Sequence, residues 1–240
     1  MNHRTPILRA CCGLGALLFL TNVSAAQEIV TGFEGGPSIG EGFFTPVFSV
    51  PLNTANAITI RPSASYLYYD ERSRTIGETK VTAPAASLGV GYRYTGTDVT
   101  FDIGPAIEVI WQKKKPAIGK QTNQTLIGAA FAADLYYQMT QTTGLNLVAT
   151  YDQSNRYYWS RGTIKERVSN SDAFAVFLGA DVTDQGATDV HQLSGGGLVE
   201  LDFDRGTTAL QIRGGYSWLT FSDSSKDQRP YFGATLYHHF

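Results

Sequence analysis

The sequence predicts an all-β protein, a transmembrane antiparallel up-and-down β-barrel of about twelve strands. Three observations lead to this prediction. Apolar and polar residues alternate with a period of two, the connections between the alternating segments differ in length in a regular order, and the chain ends on a strand-like segment that stops at Phe240. Because period-two alternation places one set of side chains on each face of a sheet, both faces of every segment have a defined character.

The first element, residues 1–26, is predicted to be a cleavable secretory signal peptide. Two arginines precede an apolar segment, and small residues follow it. Cleavage after Ala25 or after Ala26 fits this pattern, and Ala26 is favoured. Both cysteines, Cys11 and Cys12, lie in this segment. The remaining chain, 27–240, is therefore predicted to be a single domain with no disulfide and no thiol chemistry.

Composition excludes some partners but does not choose the fold. The 19 basic residues fall to 17 without the two signal arginines, against 21 acidic residues, which gives a net charge of −4. Nothing in this balance indicates a nucleic-acid partner. After the signal, no apolar run reaches the roughly 18 residues that a membrane helix needs. Barrel strands give only weak hydropathy signals, so composition alone leaves a soluble β domain open as well.

Twelve segments rich in aromatic and β-branched residues show the alternation, and none has the pattern of a long amphipathic helix. They cover roughly residues 27–34, 42–50, 58–69, 81–94, 98–111, 124–138, 145–152, 156–167, 173–182, 189–203, 207–220 and 230–240. Ten or fourteen strands remain alternatives, because 27–50 and 145–167 alternate least clearly.

The connections alternate between short turns and longer, more charged segments. The short ones are 95–98, 140–144, 169–172 and 204–206, and the longer ones are 70–80, 112–123, 181–189 and 221–229. This order is typical of outer-membrane barrels, which have short periplasmic turns and long external loops, and a soluble sandwich has no reason to adopt it. It predicts the outer membrane of a Gram-negative bacterium, with both chain ends in the periplasm and outer-membrane lipid and lipopolysaccharide around the barrel.

Four lysines fall in the predicted external loop 112–123: Lys113, Lys114, Lys115 and Lys120. Two interpretations stay open for them. They are solvated beside lipopolysaccharide phosphates, or they contact an anionic polymer or partner.

The polar rows of the strands are predicted to face the barrel lumen, and the apolar rows to face lipid. Nine charged residues fall on the lumen rows: Arg61, Arg93, Asp102, Glu108, Asp134, Arg161, Glu200, Asp202 and Arg213. Opposite charges in a confined space pair with each other, because an unpaired charge is costly there. Arg213 and Glu200 are expected within a row or two of each other across one hairpin. A narrow or plugged lumen, closed at rest, is expected for this strand number.

The last strand carries a candidate barrel-assembly signal. Phe232, Leu236 and Phe240 share one row, and a C-terminal strand ending in Phe resembles the recognition signal of outer-membrane barrels. His238 stands where an aromatic is usual. The barrel-assembly machinery is therefore an expected partner.

No catalytic, metal-binding or cofactor-binding residue is predicted. The chain has no HExxH, no CxxC and no phosphate-binding glycine loop. His238 and His239 are neighbours on a strand and point to opposite faces, so they cannot chelate one ion. A lipid A-modifying barrel enzyme remains a less favoured alternative, with His238 beside Ser217 or Ser222. Ser217 is predicted to face the lumen and His238 the outside, which prevents their contact.

Residues 157–218 resemble the cellulose biosynthesis protein BcsS family. The resemblance rests on the segments YYWSRGTIKERV, AFAVFLGADVTDQGATDVHQLSGGGLVELDF and ALQIRGGYSW. It implies an outer-membrane accessory of bacterial cellulose (exopolysaccharide) biosynthesis or export, with cellulose synthase export components as partners and no catalytic motif. A general porin-like or structural barrel is the alternative function, since fold alone does not define function.

Overall fold

A computed structural model describes residues 27–36, 39–73, 77–171, 173–188 and 190–240. The predicted signal peptide, residues 1–26, lies outside these ranges. Twelve strands follow one another along the chain. They are β1 (Gln27–Gly35), β2 (Ile39–Pro51), β3 (Asn56–Ser73), β4 (Gly77–Thr95), β5 (Val99–Pro116), β6 (Thr122–Gln138), β7 (Thr143–Asp152), β8 (Tyr157–Asn170), β9 (Phe174–Ala187), β10 (Val190–Phe203), β11 (Thr208–Phe221) and β12 (Lys226–His239).

The strands form one closed antiparallel barrel in sequence order. Each strand pairs with its neighbours along the chain, and β1 closes the ring by pairing with β12, from Glu28 opposite His239 to Gly35 opposite Phe232. Closure leaves no edge strand along this seam, so backbone groups are satisfied within the sheet. The predicted fold class and strand number are confirmed. Within the described ranges, no helix is long and apolar enough to cross a membrane.

The alternation of the sequence appears as two faces of the wall. On β5, Asp102 and Ile110 point inward and are buried, whereas Ile103, Ile107 and Trp111 point outward and are exposed. Large apolar side chains on the outside of a closed barrel are typical of a wall that faces lipid.

The connections differ from the prediction. At the end that carries the chain termini, here called the terminal end, the predicted short turns are present. At the opposite, distal end, the segments predicted as long loops are mostly strand. β3 runs to Ser73 and β4 starts at Gly77, although 70–80 is predicted as loop. Lys113, Lys114 and Lys115 lie on β5, and only Lys120 lies in the connection to β6. Most charged residues of these segments therefore lie on strands that lengthen the barrel wall, and not in loops.

The distal half of the wall is uneven. β1 and β7 have 9 and 10 residues, whereas β3, β4, β5 and β6 have 17 to 19. β6 pairs with β7 only from Ala130 onward, and β12 pairs with β1 only from Phe232 onward. Beyond these points β6 has no partner in β7 and β12 has none in β1, so the pairing of the ring is interrupted at two places at the distal end.

Strands from different sides of the ring meet at the distal end through an apolar cluster, here called the distal plug. Leu67, Tyr69, Val81 and Ile110 come from β3–β5, and Leu219 comes from β11. The remaining buried members are Ile39, Ala83, Ala85, Val190 and Phe221. Val81 and Leu219 are among the largest fully buried side chains of the described chain. The distal part of the barrel is therefore packed like the core of a β-sandwich.

Candidate functional site

Below the distal plug, the barrel interior is built from charged side chains that cross the lumen. Near the terminal end, Arg93 on β4 contacts Glu28 on β1 and lies 3.1 Å from Asp102 on β5. Arg61 on β3 lies 3.3 Å from the same Asp102 carboxylate, which also accepts a hydrogen bond from Thr59 at 3.1 Å. Asp102 thus contacts both arginines, and Arg93 links it to Glu28.

A second cluster lies farther from the terminal end and is centred on Arg161 of β8. Its guanidinium contacts Glu34 of β1, lies 3.9 Å from Asp181 and donates a hydrogen bond of 3.0 Å to Thr183. Arg213 of β11 lies 3.5 Å from Glu34 as well. Glu34 therefore joins strands from both sides of the ring.

The Arg161 cluster leaves little free space on its Glu34 side. Asp181 accepts hydrogen bonds from the Tyr231 hydroxyl, 3.1 Å from each oxygen, and its side chain has no exposed surface. Beside Glu34, Glu41 and Arg161, a cavity of about 20 Å³ remains. This is room for about one water molecule. A larger cavity of about 560 Å³ lies on the β5–β8 side and is lined by Asp102, Asp134 and Arg161 among others.

The expected neighbourhood of Arg213 and Glu200 is present, but each has a different partner. Glu200 lies opposite Gln211, one step along the same face from Arg213. Glu200 contacts Lys165 of β8, and Arg213 contacts Glu34. Gln211 links the two, because it donates to Glu200 at 2.9 Å and accepts from Arg213. Each of the two residues therefore forms its ion pair with a residue of a non-neighbouring strand, and not with the other member of the hairpin.

The other predicted lumen residues lie on inward-facing rows as well. Asp134 accepts a hydrogen bond of 2.8 Å from Asn146. Glu108 lies near the inward-facing acids Asp152 and Glu41. Asp202 lies two residues from Glu200 on the same face of β10.

Sequence reasoning missed several partners of these residues. Glu28, Glu34, Lys165 and Asp181 carry the main contacts of the predicted arginines and of Glu200. The sequence does contain a sign of two of them, because Glu28 and Glu34 lie on the same face of the first predicted strand. Which cation each acid meets is not readable from that row, because the partners come from across the ring.

The residues of the candidate assembly signal lie on the outer face. Phe232 and Leu236 point outward from β12, and Phe240 follows the end of the strand. The Phe232 ring packs against Phe33 of β1, with 5.8 Å between ring centroids, and Phe240 packs edge-on against His238 at 4.5 Å.

His238 does not meet Ser217 or Ser222, the two serines considered for a lipid A-modifying enzyme. Ser217 is buried inside, where it accepts a hydrogen bond from Gln192 and forms another with Ser194. His238 lies on the outer face near the terminal end and contacts Thr208 at 2.8 Å. Ser222 follows β11 at the distal end, the full height of the wall away from His238.

The pattern G-x-S-x-G does occur once in the chain, at residues 36–40. Residues 37 and 38 lie outside the described ranges. The elements on either side are the strands β1 and β2, whereas the nucleophile motif of this pattern joins a strand to a helix. Within the described ranges, no group of three or more His, Cys, Asp or Glu side chains is placed to hold a metal ion.

A protein-family model described as "Cellulose biosynthesis protein BcsS" matches residues 19–240. A search of proteins with curated functions found no significant match. Among solved structures, the barrel is similar to the translocator domain of autotransporter NalP from Neisseria meningitidis, with a TM-score of 0.56 and 12% identity over 97% of this chain and 94% of that one.

Two further solved structures have the same architecture. The β domain of the Bordetella autotransporter BrkA aligns with a TM-score of 0.53 and 12% identity, over 89% of this chain and 97% of that one. The COG4313 outer membrane channel from Pseudomonas putida F1 aligns with a TM-score of 0.50 and 10% identity, over 90% and 96%. At such identities, the similarity establishes an outer-membrane-type barrel fold and nothing finer.

Proposed function

Because the chain belongs to the cellulose biosynthesis protein BcsS family, we propose that it is an outer-membrane accessory of a bacterial cellulose synthesis apparatus. In this role it acts as a scaffold rather than as the conduit of the polymer. The observation that carries the proposal is the closed interior, in which the Arg161 cluster and the distal plug both cross the lumen.

Placement in the outer membrane is supported by the outer face of the barrel. Leu88, Ile107 and Ile127 are more than half exposed on neighbouring strands. Tyr92 and Tyr137 lie outward near the terminal end, and Trp111 and Tyr66 lie outward toward the distal end. Two aromatic levels around an apolar band are typical of a barrel at the two membrane interfaces. The terminal end then faces the periplasm.

The scaffold role follows from the chemistry of the interior. A cellulose chain is an uncharged polymer of sugar rings, and a conduit for it needs aromatic faces and hydroxyl or amide groups along an open path. Here the path is occupied by ion pairs such as Arg161 with Glu34 and by apolar side chains such as Val81 and Leu219. Separating these groups costs free energy, because each charge would lose its partner in a poorly hydrated space.

Partners follow from the same placement. The barrel-assembly machinery inserts the chain through its last strand, with Phe232, Leu236 and Phe240 as the segment it reads. Export components of the cellulose synthase contact the periplasmic turns, which are the part of the barrel they can reach. The distal end contacts lipopolysaccharide.

Deletion and complementation test the function. A strain that lacks the gene should bind less of a cellulose-binding dye, and the full-length gene should restore dye binding. A deletion strain that makes and exports as much cellulose as its parent would refute the cellulose role.

Conductance separates the scaffold from a general porin-like barrel. The purified full chain in a planar lipid bilayer should give no steady current. Large, steady conductance from the wild-type protein would instead support the porin-like alternative, because the interior would then be open at rest.

A further inference from the structure

Three lysines form a basic group on the outer face of the barrel at its distal end. Lys80 lies on β4, Lys113 and Lys115 lie on β5, and all three are exposed. Lys114, between the last two, points inward and makes an ion pair of 2.7 Å with Glu71. Because successive strand residues point to opposite faces, Lys114 forms an ion pair inside the barrel, whereas Lys113 and Lys115 lie on the outer face.

The register places the three lysines at neighbouring positions of the wall. Lys80 lies directly opposite Lys115, and Thr82, the next outward residue of β4, lies opposite Lys113. Like charges directly opposite each other on a sheet destabilise the pairing. Among the described residues, no acid forms an ion pair with Lys80, Lys113 or Lys115 at 4.0 Å or less. An anion bound between the lysines would remove this repulsion.

The neighbours of the lysines complete the chemistry of the surface. On the β6 side, Lys113 lies opposite Asn123, and Gln121 donates a hydrogen bond of 3.0 Å to Asn123. These amides and the Thr82 hydroxyl can donate hydrogen bonds to an anion. Two acids lie on the other side: Asp70 opposite Lys80, and Glu78 one outward step beyond Lys80 on β4. The anion-binding surface therefore centres on Lys113 and Lys115, away from the acids.

The surface directly below the lysines is apolar. Trp111 is the next outward residue of β5 beneath Lys113, and Ile107, 69% exposed, lies two outward steps farther. Ile127 of β6 is 71% exposed and lies opposite Val109. Each outward step along a strand is about 7 Å. The lysines thus lie directly above an exposed apolar surface. This arrangement suits an amphiphilic ligand, with its phosphate groups at the lysines and its acyl chains along the wall.

We propose that Lys80, Lys113 and Lys115 bind the phosphate groups of lipopolysaccharide in the outer leaflet, with its acyl chains packed along Trp111, Ile107 and Ile127. The proposal rests on the outer-membrane placement proposed above, and it identifies which residues take the lipid. It commits to a membrane lipid because the apolar face continues from the lysines without a break. A soluble anionic polymer would use the lysines alone.

Binding to purified lipopolysaccharide tests the site. The refolded full chain in neutral detergent is titrated with lipopolysaccharide, and the affinity is compared with that of the triple variant Lys80→Gln, Lys113→Gln, Lys115→Gln. Each lysine near an anionic lipid surface is worth a few-fold in affinity, so the triple variant should bind on the order of 100-fold more weakly. The matched control is Lys120→Gln with Arg156→Gln, which removes exposed charge from two distal turns and should bind within about two-fold of wild type. A heat-dependent shift in gel mobility shows that each variant is folded.

Two further ligands distinguish the source of the phosphate. With enzymatically dephosphorylated lipopolysaccharide as the ligand, wild type and the triple variant should bind with equal affinity. Deacylated, phosphorylated lipopolysaccharide should bind far more weakly than the intact lipid, because the apolar face contributes nothing to it.

The proposal is overturned if the folded triple variant binds intact lipopolysaccharide as wild type does. It is also overturned if the deacylated ligand binds as tightly as the intact one, which would indicate a soluble anionic partner. The dye assay separates this result from the cellulose role. Loss of lipid binding in a variant that still restores dye binding leaves the scaffold function intact, and an intact lipid site in a strain without a cellulose phenotype refutes only the scaffold.

Discussion

Removal of Arg161 tests the Arg161 cluster as a structural tie across the barrel. The Arg161 side chain is 8% exposed and contacts Glu34 and Asp181, two acids from opposite sides of the ring. It also lies 4.6 Å from the centroid of the Trp159 ring. In Arg161→Ala, Glu34 keeps only Arg213, at 3.5 Å, and Asp181 keeps only the Tyr231 hydroxyl.

The expected cost follows from the burial of the charges that remain. Breaking a buried ion pair by removing one partner costs about 3–5 kcal/mol. We expect the lower value, about 3 kcal/mol, because Arg213 still faces Glu34. With a urea dependence of about 2 kcal/mol per molar, the unfolding midpoint should fall by about 1.5 M.

The assay follows the fraction of folded barrel at each urea concentration, read from the mobility of unheated samples on a gel. Arg156→Ala is the matched control, because Arg156 is exposed in the connection between β7 and β8. Its unfolding midpoint should stay within about 0.3 M of wild type. Asp181→Asn added to Arg161→Ala should recover part of the lost stability, since it removes the charge of the buried acid that has lost its cation.

Two results would refute the reasoning. One is an unfolding midpoint for Arg161→Ala equal to that of Arg156→Ala. The other is a double variant less stable than Arg161→Ala alone, which would mean that the negative charge of Asp181 is not what the lost arginine compensated.

Three further predictions concern the plug, the close packing of the wall and the last residue. Leu219→Asp should lower the urea midpoint of unfolding, because it buries a charge without a partner among Leu67, Val81 and their neighbours; a midpoint equal to that of wild type would contradict the plug. Gly104→Ala should sharply lower the yield of folded barrel, because a Cβ there would lie 2.1 Å from the Val90 carbonyl oxygen, whereas Gly42→Ala, with its nearest atom at 3.9 Å, should fold normally. Deletion of Phe240 should reduce assembled barrel in membranes far more than exported precursor, and an equal loss of both would argue against an assembly signal.

The distal strands show why predicted loops became strand. The segment 70–80 is rich in charge, and so is 112–123, which reads as solvated loop on composition. In the fold, Glu71 and Lys114 pair with each other on the inner face. A charge that finds a partner inside a barrel is compatible with a strand, and local composition carries no information about a partner 43 positions away.

The chain's own alternation determined the number of strands and the face on which each side chain lies. That information is local, because successive residues of a strand point to opposite sides whatever the strand pairs with. Thus Asp102, Arg161 and Arg213 could be assigned to one face before any partner was known.

Only the tertiary structure decided what those faces meet. Pairing of β1 with β12 closes the ring and brings Glu34 to Arg161 and Arg213. At the distal end, β3 approaches β10 and β11 across the ring, which turns an inward row containing Val81 and Leu219 into a plug. These contacts join residues far apart in the chain, so they depend on ring closure and strand height, which are properties of the whole barrel.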